Sequence, residues 1–129
     1  MLTALNPPGA SFPGISQAVI IRGSGVLFSS GMVPVDETGN VVEGDFEAQV
    51  SAVYENIGKT LKAAGLGFES IARLVTYVTN YDPAMVATIR KVRSRYLSKD
   101  IPPAGVLVAA AALYDPRVRI EVEFVAVVA

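Results

Sequence analysis

Gly105-Val106-Leu107-Val108-Ala109-Ala110-Ala111-Ala112-Leu113 is the stretch whose reading decides the fold. Taken as a strand, it puts Val106, Val108 and Ala110 on one face and Leu107, Ala109, Ala111 and Leu113 on the other. A strand apolar front and back wants cover front and back. The last strand, Val118 to Val128, has a similar character. Ile120, Val122, Phe124, Ala126 and Val128 share one face, and Glu121, Glu123, Val125 and Val127 the other.

Upstream of these lie two amphipathic helices. Asp45 can cap the first, and Phe46, Val50, Val53, Ile57 and Leu61 recur at helical spacing after it. Gly65 suits its stop. Ile71 to Asn80 reads as a strand. Asp82-Pro83 opens the second helix, whose stripe is Met85, Ile89, Val92 and Tyr96, and Pro102-Pro103 prevents further helix. Near the N-terminus, Ile15 to Arg22 and Val26 to Ser30 are β-branched runs parted by Gly23-Ser24-Gly25, a hairpin signal. Met1 to Pro13 reads as an extended lead-in. The order is β-β-α-β-α-β-β in one α+β domain, residues 1–129. Two single-striped helices cover one sheet face and not both. The other face is expected to meet another copy of the chain; the alternative is a second layer built from the N-terminal segment.

Composition narrows the chemistry. The chain has 129 residues, 51% of them apolar, and a formal net charge of -1. It has no Cys and no His. Disulfides, thiolate and imidazole metal sites, a cysteine nucleophile and a Ser-His-Asp triad are thereby excluded. Acid–base work falls to Asp, Glu, Lys, Tyr, backbone groups or water. No apolar run is long enough to span a membrane. Met1 to Pro13 lacks a basic start followed by an apolar stretch, so no secretory signal is expected and the cytoplasm is the expected compartment. Gly23-Ser24-Gly25 is not a dinucleotide fingerprint, since Phe28 and a strand follow. Gly14-Ile15-Ser16-Gln17-Ala18 lacks the second glycine of a nucleophile elbow.

Several segments together resemble the RidA (YjgF-like) family. They are Ser29-Ser30-Gly31-Met32-Val33-Pro34, with Met32 where the family has Gln; Asn56-Ile57 to Leu61-Lys62-Ala63-Ala64-Gly65; Ile71 to Val78; Pro102-Pro103-Ala104; and Ile120 to Val127. The resemblance implies a chorismate-mutase-like fold, with a mixed sheet, two helices on one face and three chains closed into a trimeric barrel. It implies small-molecule clefts between neighbouring subunits of the homotrimer. It also implies hydrolysis of enamines and imines to a ketoacid and ammonia, with no metal and no cofactor.

It implies site residues as well. Glu121 matches the glutamate placed on the attacking water, where a carboxylate suits general acid–base use. From the residues alone, Arg117, Arg119, Glu121 and Glu123 could equally form a solvated charge ladder. Ser30 and Gly31 match a turn that lines the cleft, though Ser30 could merely satisfy the turn backbone. Gly105 stands where the family carries an arginine that grips the substrate carboxylate; it could instead mark a bend. Ile15 replaces a Tyr, and Leu107 replaces a Cys, Ser or Thr. With Val106 they make the implied pocket more apolar. Tyr114 could wall it or be a turn residue. These departures open an alternative: a non-catalytic trimer that binds small molecules and has lost deaminase activity. Some family members have been called ribonucleases. Arg90, Lys91, Arg93, Arg95 and Lys99, however, read as the solvated face of the second helix, and nucleic acid is not an expected partner.

Overall fold

Asp45 starts the longest helix in the way its side chain allows. In the computed structural model, which describes residues 1–9 and 13–129, its carboxylate accepts the Ala48 N–H at 2.8 Å and α1 runs Phe46–Ala63. Gly65, at φ 72°, ends the helix: its N–H reaches the Lys62 carbonyl, and Leu66 N–H reaches that of Leu61. The expected stripe is the buried face. Val50, Val53, Ile57 and Leu61 are all within 1% of full burial.

The strands follow the expected order with shifted bounds and one more member. They are β1 Leu2–Leu5, β2 Ala18–Ile21, β3 Gly25–Phe28, β4 Ile71–Thr79, β5 Ala104–Ala110 and β6 Ile120–Val128. A single turn of 3-10 helix, Phe68–Ser70, leads into β4. The second helix, α2, is Ala84–Arg93 and joins β4 to the parallel β5. Asp82 caps its first turn by accepting the Ala84 N–H at 2.8 Å. The main sheet has the order β3-β6-β4-β5, with β6 antiparallel to both β3 and β4.

Both helices lie on one face of that sheet. Ile120, Val122, Phe124 and Ala126 of β6 and Leu74 and Val78 of β4 are buried in one core with Ile57, Leu61, Met85, Ile89 and Val92. Tyr54 stacks on Tyr96 just beyond α2, with ring centroids 5.5 Å apart, and burial pushes its hydroxyl pKa up to about 12. The opposite face carries Val26 and Phe28 of β3 and Val106 and Val108 of β5. They are 45%, 77%, 43% and 39% exposed.

The expected hairpin between the two N-terminal runs does not form. β2 pairs with β1, and β3 pairs with β6. Gly23 shows why the chain does not fold back on itself there. A Cβ at this position would lie 2.5 Å from the Val128 carbonyl oxygen, so the turn is pressed against the end of β6. The lead-in reading is corrected as well, since Leu2–Leu5 is a strand; its part at residues 10–12 lies outside the described residues. The β1-β2 ribbon leaves Val26, Phe28, Val106 and Val108 exposed. An N-terminal second layer therefore does not cover the far face.

Two substitutions check this account of the core. Ile57→Ala should cost about 2–5 kcal/mol of stability, as truncation at a fully buried site does. Asp45→Ala should cost about 1 kcal/mol through loss of the cap. Urea denaturation monitored by circular dichroism measures both.

Candidate functional site

Register between β3 and β6 builds the first half of the site. Phe28 faces Val125 in the ladder, while Met32 bridges Val122, so the β3 side carries one residue more than its partner. The extra residue makes a bulge at Ser30-Gly31. It is pinned on both sides. Ser29 N–H reaches the Phe124 carbonyl at 3.0 Å and Ser29 Oγ accepts the Phe124 N–H at 2.8 Å. Met32 and Val122 exchange bonds of 2.7 and 3.0 Å. Ser29, and not Ser30, therefore satisfies the turn backbone. Ser30 is exposed, and its hydroxyl has no hydrogen bond among the described residues.

The bulge lies under Glu121. A Cβ on Gly31 would stand 2.5 Å from the Glu121 carboxyl carbon, so only glycine leaves that carboxylate its seat. No charge ladder forms on this strand. Arg117 is taken by Asp115 at 2.9 Å, and the Arg117 hydrogen bonds hold the Asp115 carboxyl down at about 2. Arg119 lies over the Phe46 ring, 5.2 Å from its centroid, and its backbone N–H donates to Gln49 Oε1. Glu123 accepts the Tyr77 hydroxyl at 2.5 Å, a hydrogen bond that raises the Tyr77 pKa. Glu121 alone of these has no hydrogen bond or ion pair among the described residues.

The second half gathers at the start of β5. Ser16 N–H donates to the Pro103 carbonyl at 2.9 Å, and Ser16 Oγ bonds the Pro102 carbonyl. This lays Ile15 beside Gly105. Ile15, Gly105, Val106 and Leu107 then line a cleft of about 310 Å³ against Leu74, Thr76 and the α2 residues Val86, Ile89, Arg90 and Arg93. Gly105 is not required by backbone geometry. A Cβ there would meet Ile15 and the Leu74 carbonyl at 3.5 Å, ordinary contact, with no positive φ. The glycine leaves space where a side chain would fit.

The two halves do not meet within one chain. Gly105 and Leu107 pair with Leu74 and Thr76 and share their helix-side face. Glu121 pairs with Tyr77 and faces the other way, and β4 stands between β5 and β6. Tyr114 is 62% exposed and lies outside this cleft within its own chain. Arg90 and Arg93 line the cleft: Arg90 is exposed, as helical patterning expects, while Arg93 is half-buried. Lys91 and Arg95 are exposed too, both pairing with Glu47 of α1. The available signal was spacing: Arg90 and Arg93 are three apart and flank the Ile89 edge of the buried stripe. No group of three or more Asp or Glu converges as a metal site among the described residues, and no helix there is long and apolar enough to cross a membrane.

The contrast between two glycines tests the first half. Gly31→Ala meets only a flexible side chain, so it should displace the Glu121 carboxylate and lower the melting temperature by less than about 4 °C. Gly23→Ala meets backbone and should cost about 1–3 kcal/mol. Thermal melts, with a crystal structure of the Gly31 variant, read both.

Comparison with known proteins places this geometry. The family model described as Endoribonuclease L-PSP matches residues 10–128. Protein DfrA of Myxococcus xanthus is 36% identical over 87% of this chain and 83% of its own length. The human 2-iminobutanoate/2-iminopropanoate deaminase is 26% identical over 94% of this chain and 85% of its own. The crystal structure of a Rid-family protein of unknown function, YyfB of Yersinia pestis, superposes with a TM-score of 0.89 at 31% identity, covering 98% of each chain. The mixed α+β fold with two helices is that of such neighbours. The extent of these matches leads to one conclusion: the chain belongs to the Rid (YjgF/RidA, L-PSP) family.

Proposed function

We propose that this chain is a hydrolytic deaminase of enamines or imines that works as a homotrimer without metal or cofactor. The observation that carries the reading is Glu121. It is held over Gly31 on an uncovered sheet face, and it has no hydrogen bond or ion pair among the described residues. The Gly105 cleft lies at the edge strand β5, whose apolar residues are exposed. One half-site therefore needs what the other has. Packing the far face of one copy against the β5 edge of the next covers Val106 and Val108 and joins the halves. The deaminase named among the relatives supports the reaction class.

The chemistry follows from the parts. The imine sits in the cleft formed by Ile15, Val106 and Leu107. Glu121 takes a proton from a water as the water oxygen bonds to the imine carbon. The nitrogen is protonated, the C–N bond of the tetrahedral adduct breaks, and the oxygen gives up its proton. Imine plus water yields a carbonyl compound plus ammonia. Ser30 hydroxyl and the Gly105 N–H are the donors proposed to hold the substrate. Tyr114, from an exposed loop, would wall the cleft from outside. An enamine first takes a proton on carbon to reach the same imine.

Glu121→Gln should lower kcat by about 10²–10⁴-fold, with the melting temperature kept. Ammonia release from imines generated by an amine oxidase reads it, and full activity in the variant removes the assignment. Sedimentation velocity should give a trimer; a strictly monomeric particle overturns the composite site. Stabilisation by ligands with no turnover on any imine would leave the trimer as a binding protein only. Gly105→Arg should raise activity on 2-aminoacrylate-type imines, since a Cβ there makes only ordinary contacts and the residue borders the cleft.

A further inference from the structure

Arg90 and Arg93 of α2 differ from the other cations of their helix. Lys91 and Arg95 share one acidic partner, Glu47. Arg90 has no ion pair or hydrogen bond among the described residues, and Arg93 donates only to the Pro13 carbonyl, at 3.0 Å. Both line the cleft beside Gly105, and both line a second one of about 300 Å³ next to it, towards Leu97 and Pro102. Basic residues are favourable near any helix C-terminus. That tendency does not explain why the two without an acidic partner border the same two clefts.

Arg93 is half-buried, and burial lowers its pKa, with the Tyr54 hydroxyl opposing the shift and the charge of Arg90 adding to it. Arg93 thus holds its charge partly out of water beside the exposed Arg90, and no carboxylate among the described residues pairs with either. An anion in the cleft relieves both costs. The rest of the wall is apolar: Leu74, Val86, Ile89 and Leu107. Thr76 is buried and lines the cleft, and its hydroxyl has no hydrogen bond among the described residues.

We infer that Arg90 and Arg93 form a carboxylate clamp, and that the cleft takes a small monocarboxylate with a short branched aliphatic body. The planar fork of a guanidinium matches a carboxylate through two parallel hydrogen bonds. The apolar wall accepts the aliphatic body and disfavours a phosphate, whose further oxygens would be left without donors. The empty volume at Gly105 gives the body its place. The inference rests on the proposed reading of this cleft as the substrate site. It makes the clamp a property of the helix and not of β5.

The test is calorimetric titration of the intact protein with 4-methylpentanoate, its neutral amide 4-methylpentanamide, and inorganic phosphate. The acid should bind at least about tenfold more tightly than the amide and than phosphate. Arg90→Gln should weaken the acid by about tenfold or more and leave the amide unchanged. Arg93→Lys keeps the charge, loses the fork, and should weaken the acid in the same sense; it stands in for Arg93→Gln should that variant fail to fold. Equal affinities for acid and amide, equal affinity for phosphate, or acid binding indifferent to both substitutions overturns the clamp. Imine turnover separates the two readings. Turnover with no arginine-dependent acid binding sinks the clamp and leaves the hydrolase. Arginine-dependent acid binding without turnover does the reverse.

Discussion

A sheet whose residues are apolar on two faces, and a chain with helices for one of them, is the constraint from which the rest follows. Burial of apolar area is the main favourable term in folding. Here α1 and α2 spend theirs on one side, packing Val50, Ile57, Ile89 and Val92 against Ile120, Val122 and Phe124. Phe28, Val26, Val106 and Val108 are left facing out. The N-terminal ribbon could have covered them and does not. The uncovered face is therefore available to organise an assembly. It also carries Glu121, so covering it and completing a site would be the same event.

The bulge at Ser30-Gly31 ties that face to chemistry. One extra residue in β3 breaks the ladder next to β6 and brings a side-chain-free backbone under a carboxylate. The neighbouring charges are each consumed elsewhere: Arg117 by Asp115, Arg119 by Phe46 and Gln49, Glu123 by Tyr77. What remains unengaged is Glu121. At the other edge of the sheet the pattern repeats with the opposite sign. Lys91 and Arg95 share Glu47 as an acidic partner, and Arg90 and Arg93 have none among the described residues.

Local signals read well and non-local ones did not. The Asp45 cap, the α1 stripe and the Gly65 stop are decided within a turn or two of helix, and the structure has all three. The Gly23-Ser24-Gly25 signal is just as local, yet it misled. Whether two strands pair depends on what else competes for their edges. β1 took β2, and β6 took β3. The site divided in the same way. Gly31 and Glu121 were legible as residues, but their stacking depends on a register shift that no spacing displays. Arg90 and Arg93 were visible as charges, and only the placement of α2 beside the β5 edge makes them cleft residues.

The amino-acid sequence by itself determined the types of the two helices and of five of the six strands, the buried stripes, the exclusion of thiol and imidazole chemistry, and the resemblance carried by its motifs. These depend on residue identity and on periodicities of a few residues. Tertiary structure alone decided which strands are neighbours, that Gly105 and Glu121 lie on opposite faces with β4 between them, and which charges go unpaired. Those are relations between residues tens of positions apart. They are set by how a finite number of strand edges and apolar faces are shared out once the chain is compact.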